Sequence, residues 1–174
     1  MKTKKITDLA HLLIKSSINE SSTVVDATMG NGFDTLFLSK ISKIVYSFDI
    51  QEDALENTFS LLNLNNIHNC KLILDSHERI LNYIKDFSLV VFNLGYLPKG
   101  NKNITTKSKT TLKTIKSLLE HNPKLTLVIT CYPGHLEGKK ESDLLLEFLK
   151  KTTYSITLTY LLNKESAPFI IKIN

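Results

Sequence analysis

Cysteine is nearly absent: Cys70 and Cys131 are the only two among 174 residues. They form no CxxC pair and stand at no metal-ligand spacing from the five histidines. Reduced, buried thiols are the expectation, with no metal site and no disulfide. Long apolar runs are missing too. No stretch approaches the roughly 20 residues that span a bilayer, and the opening MKTKKITDLAHLLIK breaks its apolar positions with charge instead of building a signal-peptide core. The expected setting is therefore cytoplasmic, away from membranes. There is no G-K-[ST], which excludes a phosphate-cradling P-loop. Arg79 is the only arginine and glycine is scarce, at six residues.

What is present suits one domain over residues 1–174: 42% of residues are hydrophobic, ample for an ordinary core. Seven short Val- and Ile-rich runs read as strands, at 23–28, 44–49, 71–75, 88–93, 125–131, 154–161 and 168–173. Between the first five lie segments with helical spacing, such as 53–64 and 105–120, and ITDLAHLLIKSSI at the start reads as an extra amphipathic helix. Alternating strand and helix predicts an α/β fold with a mostly parallel sheet covered on both faces. Only the short NKESA separates the last two strands, too little for a crossover helix, so they are expected to pair as an antiparallel hairpin at one edge. Their hydrophobic character offers an edge at which a homodimer could form.

Open α/β sheets bind ligands beyond the carboxyl ends of their strands. All six glycines fall there: Gly30 and Gly32 after strand one, Gly95 and Gly100 after strand four, Gly134 and Gly138 after strand five. Other loops, NLNNIHN, SKISK and NKESA, have none. Strand one leads into DATMGNGFDT, containing Asp26, Gly30, Asn31, Gly32 and Asp34. Its glycines let the backbone pass close beneath a ligand, but Thr35 stands where a dinucleotide fingerprint has its third glycine. Strand two ends in FDIQ, placing Asp49 17 residues past Gly32 with Gln51 beside it, where an acid accepts from ribose hydroxyls. Strand three ends in LDSH. There Asp75 either accepts from an adenine amine, with Ser76 or His77 meeting a ring nitrogen, or caps a helix. Three acids at three successive strand ends point to a nucleoside-containing cofactor.

The net charge is +5, and its distribution is uneven. Lys99, Lys102, Lys107, Lys109, Lys113 and Lys116 occur with no acid between residues 99 and 119. This run is either an RNA-contacting stretch or a solvated helix face. His135, in CYPGHLEG, is either a base, an RNA contact or a loop residue bonded to its neighbours, and Tyr132 either lines a pocket or fills it. His11, His68 and His121 read as structural or exposed.

DATMGNGFDT, FDIQ and LDSH together resemble the first three motifs of class I S-adenosylmethionine-dependent methyltransferases, a Rossmann-like fold whose seven-stranded sheet ends in an antiparallel hairpin. NLGY, Asn93 to Tyr96, resembles the [DNS]-[PI]-P-[YF] signature of enzymes that methylate nitrogen, with Leu94 and Gly95 in place of prolines. DATMGNGFDTLFL, FDIQ, DSH, FNLGYLPKGNKNITT and YPGHLEGKKESD more closely resemble the MnmM-type tRNA methyltransferases, a small bacterial family once described as rRNA methylases.

That resemblance implies S-adenosylmethionine held by Asp26, Gly30, Asn31, Gly32, Asp34, Asp49, Gln51, Asp75, Ser76, His77 and Asn93. It implies methylation of the exocyclic amine of 5-aminomethyl-2-thiouridine at the tRNA wobble position, within the anticodon stem-loop. Asn93 and Leu94 would orient the amine, Tyr96 would stack on the base, and Tyr132 and His135 would face the substrate. Lys99, Lys102, Lys107 and Lys109 would contact the tRNA backbone. Competing readings are an rRNA base N-methyltransferase, a nicotinamide oxidoreductase reusing Gly30, Gly32 and Asp49, and a non-catalytic RNA-binding module.

Overall fold

The computed structural model describes residues 6–95, 106–161, 164 and 166–174. Among the described residues, seven strands form one sheet: β1 (Thr23–Asp26), β2 (Ile44–Asp49), β3 (Cys70–Leu74), β4 (Leu89–Asn93), β5 (Thr126–Cys131), β6 (Ile156–Thr159) and β7 (Phe169–Ile173). Their spatial order is β3-β2-β1-β4-β5-β7-β6. The first five are parallel, while β7 runs antiparallel to both β5 and β6. The chain thus winds outward from β1 to β3, returns to place β4 beside β1, and winds the other way. The β1–β4 seam is the switch point where such sheets leave a crevice.

Accompanying the sheet among the same residues are the α-helices α1 (Ile6–Lys15), α2 (Phe33–Ser39), α3 (Glu52–Leu64), α4 (Ile80–Tyr83), α5 (Ser108–His121) and α6 (Leu136–Leu149). Strand alternation sorts the core into two layers. Val25, Val90, Phe92, Ile129 and Ile171 pack with Ile115 and Leu118 of α5 and Leu145 of α6. Their chain neighbours Val24, Leu89, Val91, Val128 and Ile170 face the opposite layer, with Ala10 and Ile14 of α1 and Leu38 of α2. Phe48 and Phe92 are fully buried, each contributing roughly 1.5–3 kcal/mol.

The expected strands, the N-terminal helix and the antiparallel hairpin are all present. Two details differ. Between β3 and β4 there is no long helix but a 3₁₀ turn, His77–Arg79, followed by the four-residue α4. The segment expected as strand over 154–161 pairs only at Ile156–Thr159, as an edge strand with Leu158 and Tyr160 exposed. Among the described residues no helix is long and apolar enough to cross a membrane.

Candidate active site

A cavity of about 690 Å³ opens at the carboxyl ends of β1, β2, β3, β4 and β5. The loop after β1 forms its floor. Ala27 N–H donates to the Val91 carbonyl (2.9 Å) and Met29 N–H to the Phe48 carbonyl (2.9 Å), so the loop is stitched to strands on either side. Gly30 (φ +53°) and Gly32 (φ +81°) adopt the left-handed region. At Gly32 any side chain would collide with α3, because a Cβ there would stand 2.7 Å from Thr58 Oγ1 and 2.9 Å from Thr58 Cα. Gly30 and Asn31 line the cavity, whereas Gly32 does not.

Asp26 does not line it either. It is fully buried beneath the loop, accepting from Thr35 Oγ1 (2.6 Å) and Thr28 N–H (3.2 Å). Burial, reinforced by the neighbouring Asp34 carboxylate, pushes its pKa up to about 7. Asp26 thus supports the glycine loop from below.

Asp49 lines the cavity and accepts from Gly30 N–H (3.0 Å) and Gln51 N–H (3.1 Å), one on each oxygen. Each carboxylate oxygen retains a second lone pair for a ligand hydroxyl. Burial raises its pKa, and these backbone donors oppose the rise. Gln51 and Ile50 continue the same wall. At the end of β3, Asp75, Ser76 and His77 also line the cavity. The cap of the 3₁₀ turn is Ser76, whose Oγ accepts from Glu78 N–H (3.2 Å), and not Asp75. Asp75 accepts from Ser76 N–H (2.7 Å) and the Tyr83 hydroxyl (2.8 Å). Desolvation pushes Asp75 upward, but Tyr83, Ser76 and Arg79 outweigh it and hold the carboxyl below the usual range. Burial lowers the His77 pKa and favours a neutral ring, which stands edge-on to Phe92.

Asn93 ends β4 and lines the cavity. Its N–H donates to Thr28 Oγ1 (2.7 Å) and its Nδ2 to Asp34 Oδ2 (3.1 Å). Tyr132 is hydrogen-bonded to Asn93; burial and the Asp34 charge nevertheless raise its pKa, so it stays a phenol. Leu94, 3% exposed, anchors the turn by donating its N–H to the Thr130 carbonyl (2.9 Å).

Gly95 (φ +141°) donates its N–H to Thr106 Oγ1 (2.9 Å) and accepts from Thr106 N–H (2.9 Å). Thr106 Oγ1 in turn donates to Glu141, as does Thr111 Oγ1. Burial raises the Glu141 pKa against those two hydroxyls. Tyr96, Lys99 and Lys102 lie outside the described residues. Lys107 lines the rim, while Lys109 is exposed outside the cavity. His135 lines the cavity as the N-cap of α6, its Nδ1 accepting from Gly138 N–H (3.1 Å). This bond is the loop-residue alternative for His135, a ring hydrogen-bonded to its neighbours.

Sequence reasoning missed Thr28, Thr106 and Glu141. The last had a signal: Glu141, Leu145 and Leu149 share one buried helix face at spacings of four, an acid at an apolar position. His11, expected to be structural or exposed, bonds Asp34 Oδ1 through Nε2 at 2.7 Å, a partner the sequence did not indicate. Nothing in spacing links positions 23 apart.

Residues 45–174 match the profile of a family described as "Putative rRNA methylase". The chain belongs to this family. A curated relative, "tRNA (mnm(5)s(2)U34)-methyltransferase, chloroplastic" of Arabidopsis thaliana, is 35% identical over 189 aligned positions, covering 97% of this chain and 68% of the relative. A "putative methyltransferase" from Streptococcus mutans, solved in complex with SAH, superimposes with a TM-score of 0.88 at 39% identity, covering 99% of this chain and 98% of that one. A "putative rRNA-methylase" from Clostridium thermocellum gives a TM-score of 0.92 at 33% identity, covering 100% and 99%. The rRNA methylase profile begins inside β2, after the glycine loop. Likeness across β1 and that loop rests on these three relatives, each of which spans nearly the whole of this chain.

Proposed function

We propose that this chain is an S-adenosylmethionine-dependent N-methyltransferase of tRNA, acting on the exocyclic amine of 5-aminomethyl-2-thiouridine at the wobble position to give 5-methylaminomethyl-2-thiouridine. The carrying observation is the cavity that sets Asn93 beside the glycine loop and Asp49, in a chain 35% identical to a tRNA mnm(5)s(2)U34 methyltransferase over nearly its whole length. The donor set fits the cofactor: a tight glycine loop, a carboxylate with lone pairs to spare at the end of β2, and room for a nucleoside and a target base. Asp49 would take the ribose hydroxyls, Gly30 and Asn31 would approach the amino-acid portion, and the Asp75 to His77 stretch would face the adenine. When bound, S-adenosylmethionine supplies an electrophilic methyl group.

The chain's own residues prepare the amine. Alkylammonium groups titrate near 10, like lysine, and have no lone pair. Met29 and Leu94, both buried in the wall, disfavour the charged form. Asn93 Oδ1 and the Leu94 carbonyl accept the two N–H bonds of the neutral amine, leaving its lone pair as the remaining direction. Positioning of this kind supplies most of the rate. Tyr96 stacks on the pyrimidine of an unpaired anticodon base and the lysines hold its backbone. The compartment is the cytoplasm.

Mass spectrometry of nucleosides from a deletion strain tests the substrate. Accumulation of the unmethylated aminomethyl nucleoside is expected; an unchanged tRNA profile removes the reading. The family's description favours a second reading, methylation of an rRNA base, which loss of an rRNA methyl mark in the same strain would support. Asn93→Ala is expected to lower turnover about 100-fold at saturating cofactor; near-normal turnover would withdraw the amine-orienting role.

A further inference from the structure

We propose that His11, on the first helix and outside the cavity wall, is a positioning residue for methyl transfer: acting through Asp34, it fixes which way round the Asn93 amide stands. The inference rests on reading the cavity as a methyl-transfer site.

An asparagine amide is nearly symmetric in shape but not in chemistry, with two donors on nitrogen and only acceptor sites on oxygen. To receive an amine N–H, Asn93 must turn its oxygen to the cavity; flipped, it would meet the amine donor to donor. The Asn93 backbone N–H is already bound to Thr28 Oγ1, so the choice falls on the side chain. Asp34 Oδ2 makes it. A carboxylate oxygen accepts, hence it selects the rotamer with Nδ2 facing it at 3.1 Å and sends Oδ1 elsewhere.

Asp34 needs fixing in turn. Its other oxygen receives His11 Nε2 at 2.7 Å, so both oxygens are engaged. The His11 ring is held by Phe37, stacked with centroids 3.7 Å apart and planes 1° from parallel. Phe37 lies three residues after Asp34 on α2, so one helix face presents both the edge partner and the stacking partner of the ring. The His11 backbone is anchored by packing, because Ala10 and Ile14 on either side of it are buried at 5% and 0% exposure. A stacked, anchored ring therefore orients a carboxylate, which orients the amide at the reacting end of β4.

A purely structural staple between α1 and α2 would be sensitive to His11 as well, so the test separates the two. With the full chain, S-adenosylmethionine and tRNA carrying the aminomethyl nucleoside, His11→Leu is expected to lower kcat about 10- to 100-fold, with KM and cofactor Kd within about twofold of the parent. His11→Gln, which restores a donor, is expected to recover most of that loss. Asp34→Asn keeps the shape but can donate to Asn93, inverting its preference, and the double variant with His11→Leu is expected to be no worse than Asp34→Asn alone. Without any cofactor, the Asn93 side-chain N–H resonances are expected to move toward free-amide positions in His11→Leu and return in His11→Gln. Unchanged kcat, additive losses in the double variant, or unmoved amide resonances would each overturn the proposal, as would a loss in which thermal midpoint and cofactor affinity fall in step with kcat. If the parent chain methylates no tRNA amine, the functional reading fails by itself, and the amide resonances still decide the role of His11.

Discussion

Asp49 holds two backbone N–H groups and faces the cavity with the rest of its accepting capacity. Asp49→Ala removes the ribose acceptor and one tie on the glycine loop. Hydrogen bonds to charged groups are worth about 1.5–3 kcal/mol, so calorimetry is expected to show roughly a 10- to 100-fold weaker Kd for S-adenosylmethionine. Equal affinity would end the ribose assignment. Asp26 makes a different prediction. Its folded-state pKa, about 7, stands above the ordinary carboxylate value of 3.8, so between those values the folded chain binds more protons than the unfolded one. Its stabilising share is complete below about pH 4 and lost as pH rises through 7, with a limiting slope of about 1.4 kcal/mol per pH unit. Denaturant unfolding from pH 5 to 8 is expected to show this fall in the parent and not in Asp26→Asn; parallel profiles would refute it. Both acids were legible as strand-end carboxylates. Their division of labour was not, because it depends on which of them the glycine loop covers.

The glycines divide in the same way at the level of turns and helices. Gly32 combines a left-handed backbone with an approach of 2.7–2.9 Å to Thr58 of α3, whereas among the described residues a Cβ at Gly95 would meet nothing within 4 Å. Gly32→Ala is therefore expected to cost more stability than Gly95→Ala, for which only a backbone penalty of about 1–3 kcal/mol applies. Thr58→Ala should not rescue Gly32→Ala, because the Thr58 Cα is itself in the way. Urea unfolding of the three variants checks the order, and equal losses would show that α3 yields. The sequence marked both glycines as loop residues at the functional edge. Distinguishing them requires knowing that α3 crosses directly over the first loop and, among the described residues, nothing crosses the second. The helix expected between β3 and β4 shrank to one turn for a related reason: Asp75, Ser76 and His77 belong to the cavity wall, leaving few residues before β4.

Across the whole molecule, parallel order, the hairpin and the functional edge could be read from Val- and Ile-rich runs and glycine placement, because each depends on local pattern. Couplings such as His11 with Asp34 or Thr106 with Glu141 could not, since they join elements distant in the chain. The lysine-rich stretch is tested by RNA affinity. Neutralising Lys102, Lys107 and Lys109 to glutamine is expected to weaken tRNA binding and reduce the salt slope by about 0.7 to 0.9 for each phosphate no longer neutralised. An unchanged slope would return those lysines to a solvated face.

The placement of β7 bears on how the protein is made. It follows β6 in the chain yet lies between β5 and β6. During synthesis β5, which carries Thr130 and leads to Tyr132, therefore has an open edge until residues 169–173 emerge, and β6 waits with no strand to join. The methyl-transfer cavity borders that edge, so vectorial folding completes the site late, and a chain stalled before Phe169 presents an unpaired apolar strand to its neighbours on the polysome.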